Sequence, residues 1–184
     1  MQKINIIDHF YPDEHWVLLK YHIQHEQYQA TYQPKGIHYT DRLQAYPCWE
    51  SIDFSKVENH SVYNITKVAI EKTFPSLKIK TLSTLFRKIL KSEIDQSPFK
   101  NRDQGLLHCD EHADWAGVVY FNLVDSIKEG TYLHESPYHS IPHTIIGARQ
   151  NRIAFYKSTL THAAGIDPNI NERYVQVIFI TVEK

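Results

Sequence analysis

The chain has 184 residues, 42% of them hydrophobic and 22% charged, with 20 basic against 21 acidic residues for a formal net charge of -1. Those values exclude a disordered chain or a coiled coil, lack the basic excess of a phosphate-binding surface and so argue against nucleic acid as a partner, and fit one domain over 1–184. Neither a signal peptide nor a spanning helix is expected, because no long apolar run occurs.

Taken in chain order, the first element follows Pro12. Trp16, Leu19 and Ile23 recur there at helical spacing, and Asp13 reads as the cap of an amphipathic helix. The stretch 30–51 is aromatic, rich in turn residues and without a period. It reads either as a lid over a pocket or as an irregular surface segment that buries Tyr46 and Trp49. A second helix is expected from Ser61, where Val62, Ile65, Val68 and Ala69 share a face, and Pro75 ends it. From Leu77 the pattern turns to strands, in LKIKTLSTLF, WAGVVYFN, GTYLHES, NRIAFYKS and RYVQVIFITV. Residues 1–76 are thus mainly helical support and loops, and 77–184 form a β core. The expected fold is mainly β with flanking helices: two antiparallel sheets in a sandwich or jelly roll, cupin-like, with the helices over one outer face. Cys48 and Cys109 are the two cysteines and lie far apart, which points to free thiols in a reducing, cytoplasmic compartment.

Histidine, at 12 copies, is the compositional outlier and raises the question of a metal. His134, His139 and His143 lie in polar loops and read as surface residues. In His108-Cys109-Asp110 an extended backbone turns residues i and i+2 to one side, so imidazole and carboxylate can share an ion. Cys109 then faces the other way, as a small packing residue. His162 follows the strand NRIAFYKS, and in a jelly roll such a strand end returns to the mouth where His108 and Asp110 sit. Two histidines and a carboxylate on one face of an ion leave three positions open, the arrangement of non-haem Fe(II) oxygenases.

Arg173 opens the last strand, 11 residues after His162 (173 − 162). Alternation places it with Val175, Val177 and Phe179 on an apolar interior face, where an unpaired guanidinium costs several kcal/mol. An anion should meet it: the far carboxylate of 2-oxoglutarate, or a protein acid such as Glu172, Asp167 or another. Tyr120, in WAGVVYFN, reads either as a second donor to that carboxylate or as a core tyrosine.

With HCD, VVYFN, GTYL, NRIAFYKSTLTHAAG and ERYVQVIF in this order, the block from His108 to Phe179 resembles the prolyl-hydroxylase-like branch of the Fe(II)/2-oxoglutarate-dependent dioxygenases. The resemblance implies a double-stranded β-helix in which His108, Asp110 and His162 bind iron and Arg173 with Tyr120 holds the cosubstrate. It further implies a hydroxylase that uses Fe(II), 2-oxoglutarate and O2 and releases succinate and CO2. Glu129-Gly130-Thr131 departs from the pattern, with one glycine where relatives often have two. Retention of Asp110 disfavours a halogenase, and the run Arg173 to Phe179 fails the motif of nucleic-acid demethylases. The cations Lys78, Lys80, Arg87, Lys88 and Lys91 read as a solvated face.

Two rival readings remain. One is a zinc-dependent hydrolase on His108, Glu111 and His112, whose spacing is not that of a zinc-protease helix. The other is a cupin-like protein that binds a metal or small acid without turnover. The substrate expected is a small molecule or a peptide or protein side chain, received by the 30–51 stretch and the loop HESPYHSIPH.

Overall fold

The computed structural model describes residues 3–30, 48–96, 107–136 and 141–183. Residues 31–47, which include Tyr46 and most of the expected lid, and residues 137–140, which include His139, lie outside them. The elements are β1 (Ile4–Ile7), α1 (Asp13–His25), β2 (Gln29–Ala30), β3 (Trp49–Glu50), a 3-10 turn (Phe54–Lys56), α2 (Ser61–Thr73), β4 (Ile79–Leu90), α3 (Lys91–Gln96), β5 (Trp115–Tyr120), β6 (Ser126–His134), β7 (Thr144–Ala148), β8 (Ile153–Lys157), β9 (Thr161–Ala164) and β10 (Glu172–Val182). No helix among the described residues is long and apolar enough to cross a membrane.

Two antiparallel sheets form, as expected for a jelly roll. The larger runs β1-β8-β5-β10-β4-β3-β2 and the smaller β7-β6-β9, and a single backbone bridge from His108 to His162 extends the smaller sheet past β9. From β4 onward the chain crosses between the sheets after β5, β7, β8 and β9, the two-sheet winding of a jelly roll. β10 occupies the centre of the larger sheet, bonded to β4 along one edge and β5 along the other. Its two faces supply two cores. Val175 and Val177 pack with Ala116, Tyr120, Leu133 and Tyr156 between the sheets. Ile178 and Ile180 pack with Phe86, Val119 and Phe155 beneath Trp16, Leu19, Val62 and Ile70 of the helices. Covering that second face removes several large side chains from water, each stabilising by about 1.5–3 kcal/mol.

Local readings differ in places. Asp13 is the first residue of α1 rather than its cap; Pro12 holds the cap position and no side chain bonds there. The helix instead starts on a fixed φ and an acidic first turn. In α2 the inward stripe is Val62, Thr66, Ala69 and Ile70, while Val68 is exposed. His60 caps this helix, its Nδ1 accepting the N–H of Val62 at 3.3 Å. Trp49 is half-buried on β3, with its indole N–H donating to Glu93 of α3 at 2.9 Å. His134, read as a loop residue, ends β6 and is buried, and His143 bonds Thr144 Oγ1 at 2.7 Å. β1, β2, β3, α3, β7 and β9 were not expected: the first three add strands to the larger sheet from residues 1–76, and α3 falls within the part of the chain expected to be all β. Within the basic run, Arg87 pairs with Glu50, and Lys88 with Glu172 at 3.6 Å.

Candidate metal centre

The His108 and His162 backbones exchange both of their hydrogen bonds, N to O at 3.0 and 2.9 Å. Such a pair sets two residues directly opposite across adjacent strands, and their imidazoles lie with ring centroids 4.2 Å apart. Asp110 is tied by its own N–H to the carbonyl of Ser158 at 3.0 Å, and its carbonyl accepts from Ala113 at 3.1 Å. That turn aims its carboxylate back at both histidines: Oδ1 is 3.5 Å from His108 Nε2 and Oδ2 is 3.3 Å from His162 Nε2. One potential ligand atom from each of the three lies within 4.8 Å of the others.

The donor chemistry fits a divalent cation. His162 Nδ1 lies 2.9 Å from the carbonyl of Leu160, which only accepts, so Nδ1 carries the hydrogen and Nε2 keeps a lone pair that a metal could take. With Nε2 and a carboxylate oxygen both presenting lone pairs to one point, a positive charge belongs between them. Burial works against the charge on Asp110, but the facing imidazoles of His108 and His162 outweigh it and hold the carboxyl well below the usual carboxylate range. Asp110 and His162 are buried, whereas His108 is partly exposed. Access to the group is therefore from the His108 side.

Cys109 faces away, its Sγ 3.5 Å from the Thr159 carbonyl and from Thr161 Oγ1. Glu111 and His112 are exposed, and His112 packs edge-on against Phe179 at 4.6 Å. Neither joins the metal-capable group, so among the described residues the zinc reading finds no assembled ligand set.

Arg173 enters the space between the sheets from β10 and is 4% exposed. Its Nε donates to the carbonyl of Glu129 at 3.2 Å and one terminal nitrogen to that of Gly130 at 3.3 Å. The Glu129 carboxylate, equally buried, brings Oε2 to 3.4 Å from Arg173 Nε. The acid that meets Arg173 is thus Glu129, rather than Glu172 or Asp167. Burial pushes the Glu129 carboxyl up to about 7, against the pull of the Arg173 guanidinium and of the Asp167 N–H. The single glycine of this segment is placed where backbone demands it: a Cβ on Gly130 would stand 1.9 Å from the carbonyl oxygen of Ile146, while position 129 has room for a side chain directed at Arg173.

Tyr120 lies with its ring 6.0 Å from the Arg173 guanidinium carbon and its hydroxyl 2.7 Å from Thr131 Oγ1. Burial drives its phenol up to about 12, so it stays protonated. Tyr156 of β8 is a further candidate that the sequence did not single out. Its ring packs 4.9 Å from that of His162, and its phenol, raised by burial and then by the Asp110 charge, also feels Tyr120 and Arg173. It therefore joins the metal-capable group to the guanidinium along one wall. The alternation of NRIAFYKS, which sends Ala154 and Tyr156 between the sheets, was the available signal.

No family model matches the chain, and no curated protein matches its sequence. Solved structures do. A prolyl hydroxylase from Trichoplax adhaerens, in complex with a hypoxia inducible factor oxygen degradation domain peptide fragment, has a TM-score of 0.64 and 9% identity, over 98% of this chain and 84% of that one. An oxidoreductase of the 2OG-Fe(II) oxygenase family from Burkholderia pseudomallei has a TM-score of 0.61 and 10% identity, over 97% and 85%. HygX from Streptomyces hygroscopicus, with nickel and 2-oxoglutarate bound, has a TM-score of 0.61 and 8% identity, over 98% and 83%. At these identities the likeness is one of architecture, and the architecture of this chain is the double-stranded β-helix of the 2-oxoglutarate/Fe(II) oxygenases.

Proposed function

We propose that the protein is a non-haem Fe(II)- and 2-oxoglutarate-dependent oxygenase that hydroxylates a small molecule or a peptide or protein side chain. One observation carries this reading: His108, Asp110 and His162 converge to within 4.8 Å in a double-stranded β-helix whose inner wall also bears Arg173. Those three residues would hold the iron, and Arg173, assisted by Tyr120, would take the far carboxylate of 2-oxoglutarate. When bound, the iron with 2-oxoglutarate and O2 supplies oxidation of a substrate C–H bond with release of succinate and CO2.

The chain's own contribution is placement and exclusion of water. The His108–His162 backbone pair fixes two imidazoles against each other, and the Leu160 carbonyl sets the tautomer of one. Leu133, Val175, Val177 and Tyr156 line the space between the sheets with apolar surface, which strengthens each electrostatic contact made there. The two free thiols, Cys48 and Cys109, suit the reducing cytoplasmic compartment that would keep iron ferrous.

The test is anaerobic titration with Fe(II) and 2-oxoglutarate, following the visible metal-to-ligand band, in the wild type, His108→Ala and Arg173→Ala. The band should form in the wild type, vanish in the first variant and require more 2-oxoglutarate in the second. An unchanged spectrum in both variants rejects the assignment. A second reading, binding of a metal or small acid without turnover, draws on the Glu129 carboxylate already facing Arg173. Succinate production with any substrate excludes it.

A further inference from the structure

Arg173 faces a carboxylate belonging to the chain itself. Glu129 is 1% exposed; its Oε1 accepts the N–H of Asp167 at 3.3 Å, and its Oε2 stands 3.4 Å from Arg173 Nε. Yet Oε2 has no hydrogen-bond partner among the described residues, because the Arg173 Nε–H that it faces is given to the backbone carbonyl of Glu129. A buried carboxylate oxygen in that state loses the solvation of water without recovering it.

The charged and titratable groups around it are few. Arg173 comes from β10, Asp167 from the β9–β10 connection, and Tyr120 from β5 lies beyond the guanidinium. Lys128, next to it on β6, is exposed. Among the described residues one buried cation, Arg173, thus serves the site. With Glu129 ionised that cation is already matched, and a second carboxylate would set two anions on one guanidinium where screening is weak. With Glu129 protonated, Oε2 becomes a donor and the guanidinium is free to take an incoming anion.

Resting on the function proposed above, we infer that Glu129 determines which 2-oxo acids the site accepts: ionised, it fills the Arg173 anchor and favours an acid with an uncharged tail; protonated at Oε2, it admits a second carboxylate and donates a hydrogen bond to it. Binding of 2-oxoglutarate to the ionised form therefore takes up one proton from solvent, onto Oε2. Burial, which holds this carboxyl at about 7, brings the exchange into the neutral range.

The experiment compares wild type with Glu129→Gln, an isostere that keeps a donor and cannot ionise. Each is loaded with Fe(II) without oxygen and titrated with 2-oxoglutarate or with 2-oxopentanoate, which has the same chain length and no second carboxylate. Binding is followed by the visible band and by calorimetry in buffers of different ionisation heat. In the wild type, 2-oxoglutarate should weaken about tenfold per pH unit above about 7 and take up one proton per molecule, while 2-oxopentanoate holds constant. In Glu129→Gln both acids should bind without pH dependence or proton uptake, and 2-oxoglutarate should bind more tightly than in the wild type at about pH 8. A ratio between the two acids that is the same in both proteins at every pH, with no proton uptake, overturns this inference alone. Failure of 2-oxoglutarate to bind either protein at any pH overturns the inference together with the function on which it rests.

Discussion

His108 and His162 are held to each other by main chain, through two hydrogen bonds of 3.0 and 2.9 Å, and not by their side chains. The segments that carry them are otherwise anchored separately, Asp110 to Ser158 and β9 to β6. The place where the imidazoles meet is therefore a property of the backbone, and either ring can be removed without releasing the other.

Removing a ligand should accordingly abolish metal binding and leave the fold intact. His162→Ala and Asp110→Ala are each expected to weaken Fe(II) or Mn(II) affinity by more than about 100-fold, since changes to residues that only support metal ligands already cost about 10–100-fold. The far-ultraviolet circular dichroism should match the wild type. Retention of metal at wild-type affinity by either variant would show that the three residues do not share an ion.

The parts of this arrangement that the sequence disclosed are those with a repeated signal. β10 shows its two faces through alternation over 11 residues, and Arg173 is conspicuous because it breaks an apolar face. His108 and Asp110 are legible because an extended i, i+2 pair shares a side. β9 has four residues and β7 five, too few to establish a period, and their strand character comes from pairing with β6. Glu129 was hidden for a different reason. In Glu129-Gly130-Thr131 it stands out only as the neighbour of a single glycine, and the register that carries Arg173 past it, 44 residues later in sequence, makes it a buried partner.

That partnership predicts an asymmetric response to substitution. Arg173→Ala leaves a buried acid without its cation and should destabilise the protein by about 3–5 kcal/mol in urea denaturation. In Arg173→Ala with Glu129→Gln the stranded charge is gone, so the double variant should be more stable than Arg173→Ala alone by about 1–3 kcal/mol. Simple additivity of the two single changes would mean that the 3.4 Å approach carries no coupling.

Stability of the ligand-free protein should also depend on pH through Glu129. Its folded carboxyl sits at about 7, against 4.5 for an ordinary glutamate. The unfolded chain therefore gives up this proton first as pH rises. The contribution is complete below pH 4.5, declines between 4.5 and about 7, and by then amounts to a loss of about 3 kcal/mol relative to a group that does not shift. Subtracting the profile of Glu129→Gln from that of the wild type isolates this contribution from those of Asp8, Asp53 and Asp110, whose lowered carboxyls act in more acid solution and with the opposite sign. A flat difference between the two profiles would place the Glu129 carboxyl in its ordinary range.

The helix side of the larger sheet offers the complementary test, a change in stability without a change at the candidate metal centre. Gln176 of β10 is fully buried. Its Oε1 accepts from the Tyr11 hydroxyl at 2.8 Å, and its Nε2 donates to Thr66 Oγ1 and Thr84 Oγ1, each at 2.8 Å. Those threonines donate onward to the carbonyls of Val62 and Val177, so the network binds α2, β4 and β10 to the segment before α1. Tyr11→Phe removes one donor and leaves the Gln176 carbonyl oxygen buried without it, which should cost about 1–3 kcal/mol and lower the urea midpoint with little change in m. Gln176 points away from the face that carries Arg173, Val175 and Val177, so Fe(II) affinity of the folded variant should equal that of the wild type. A Tyr11→Phe protein with weakened metal binding under conditions where it is fully folded would show that the two faces of β10 are coupled.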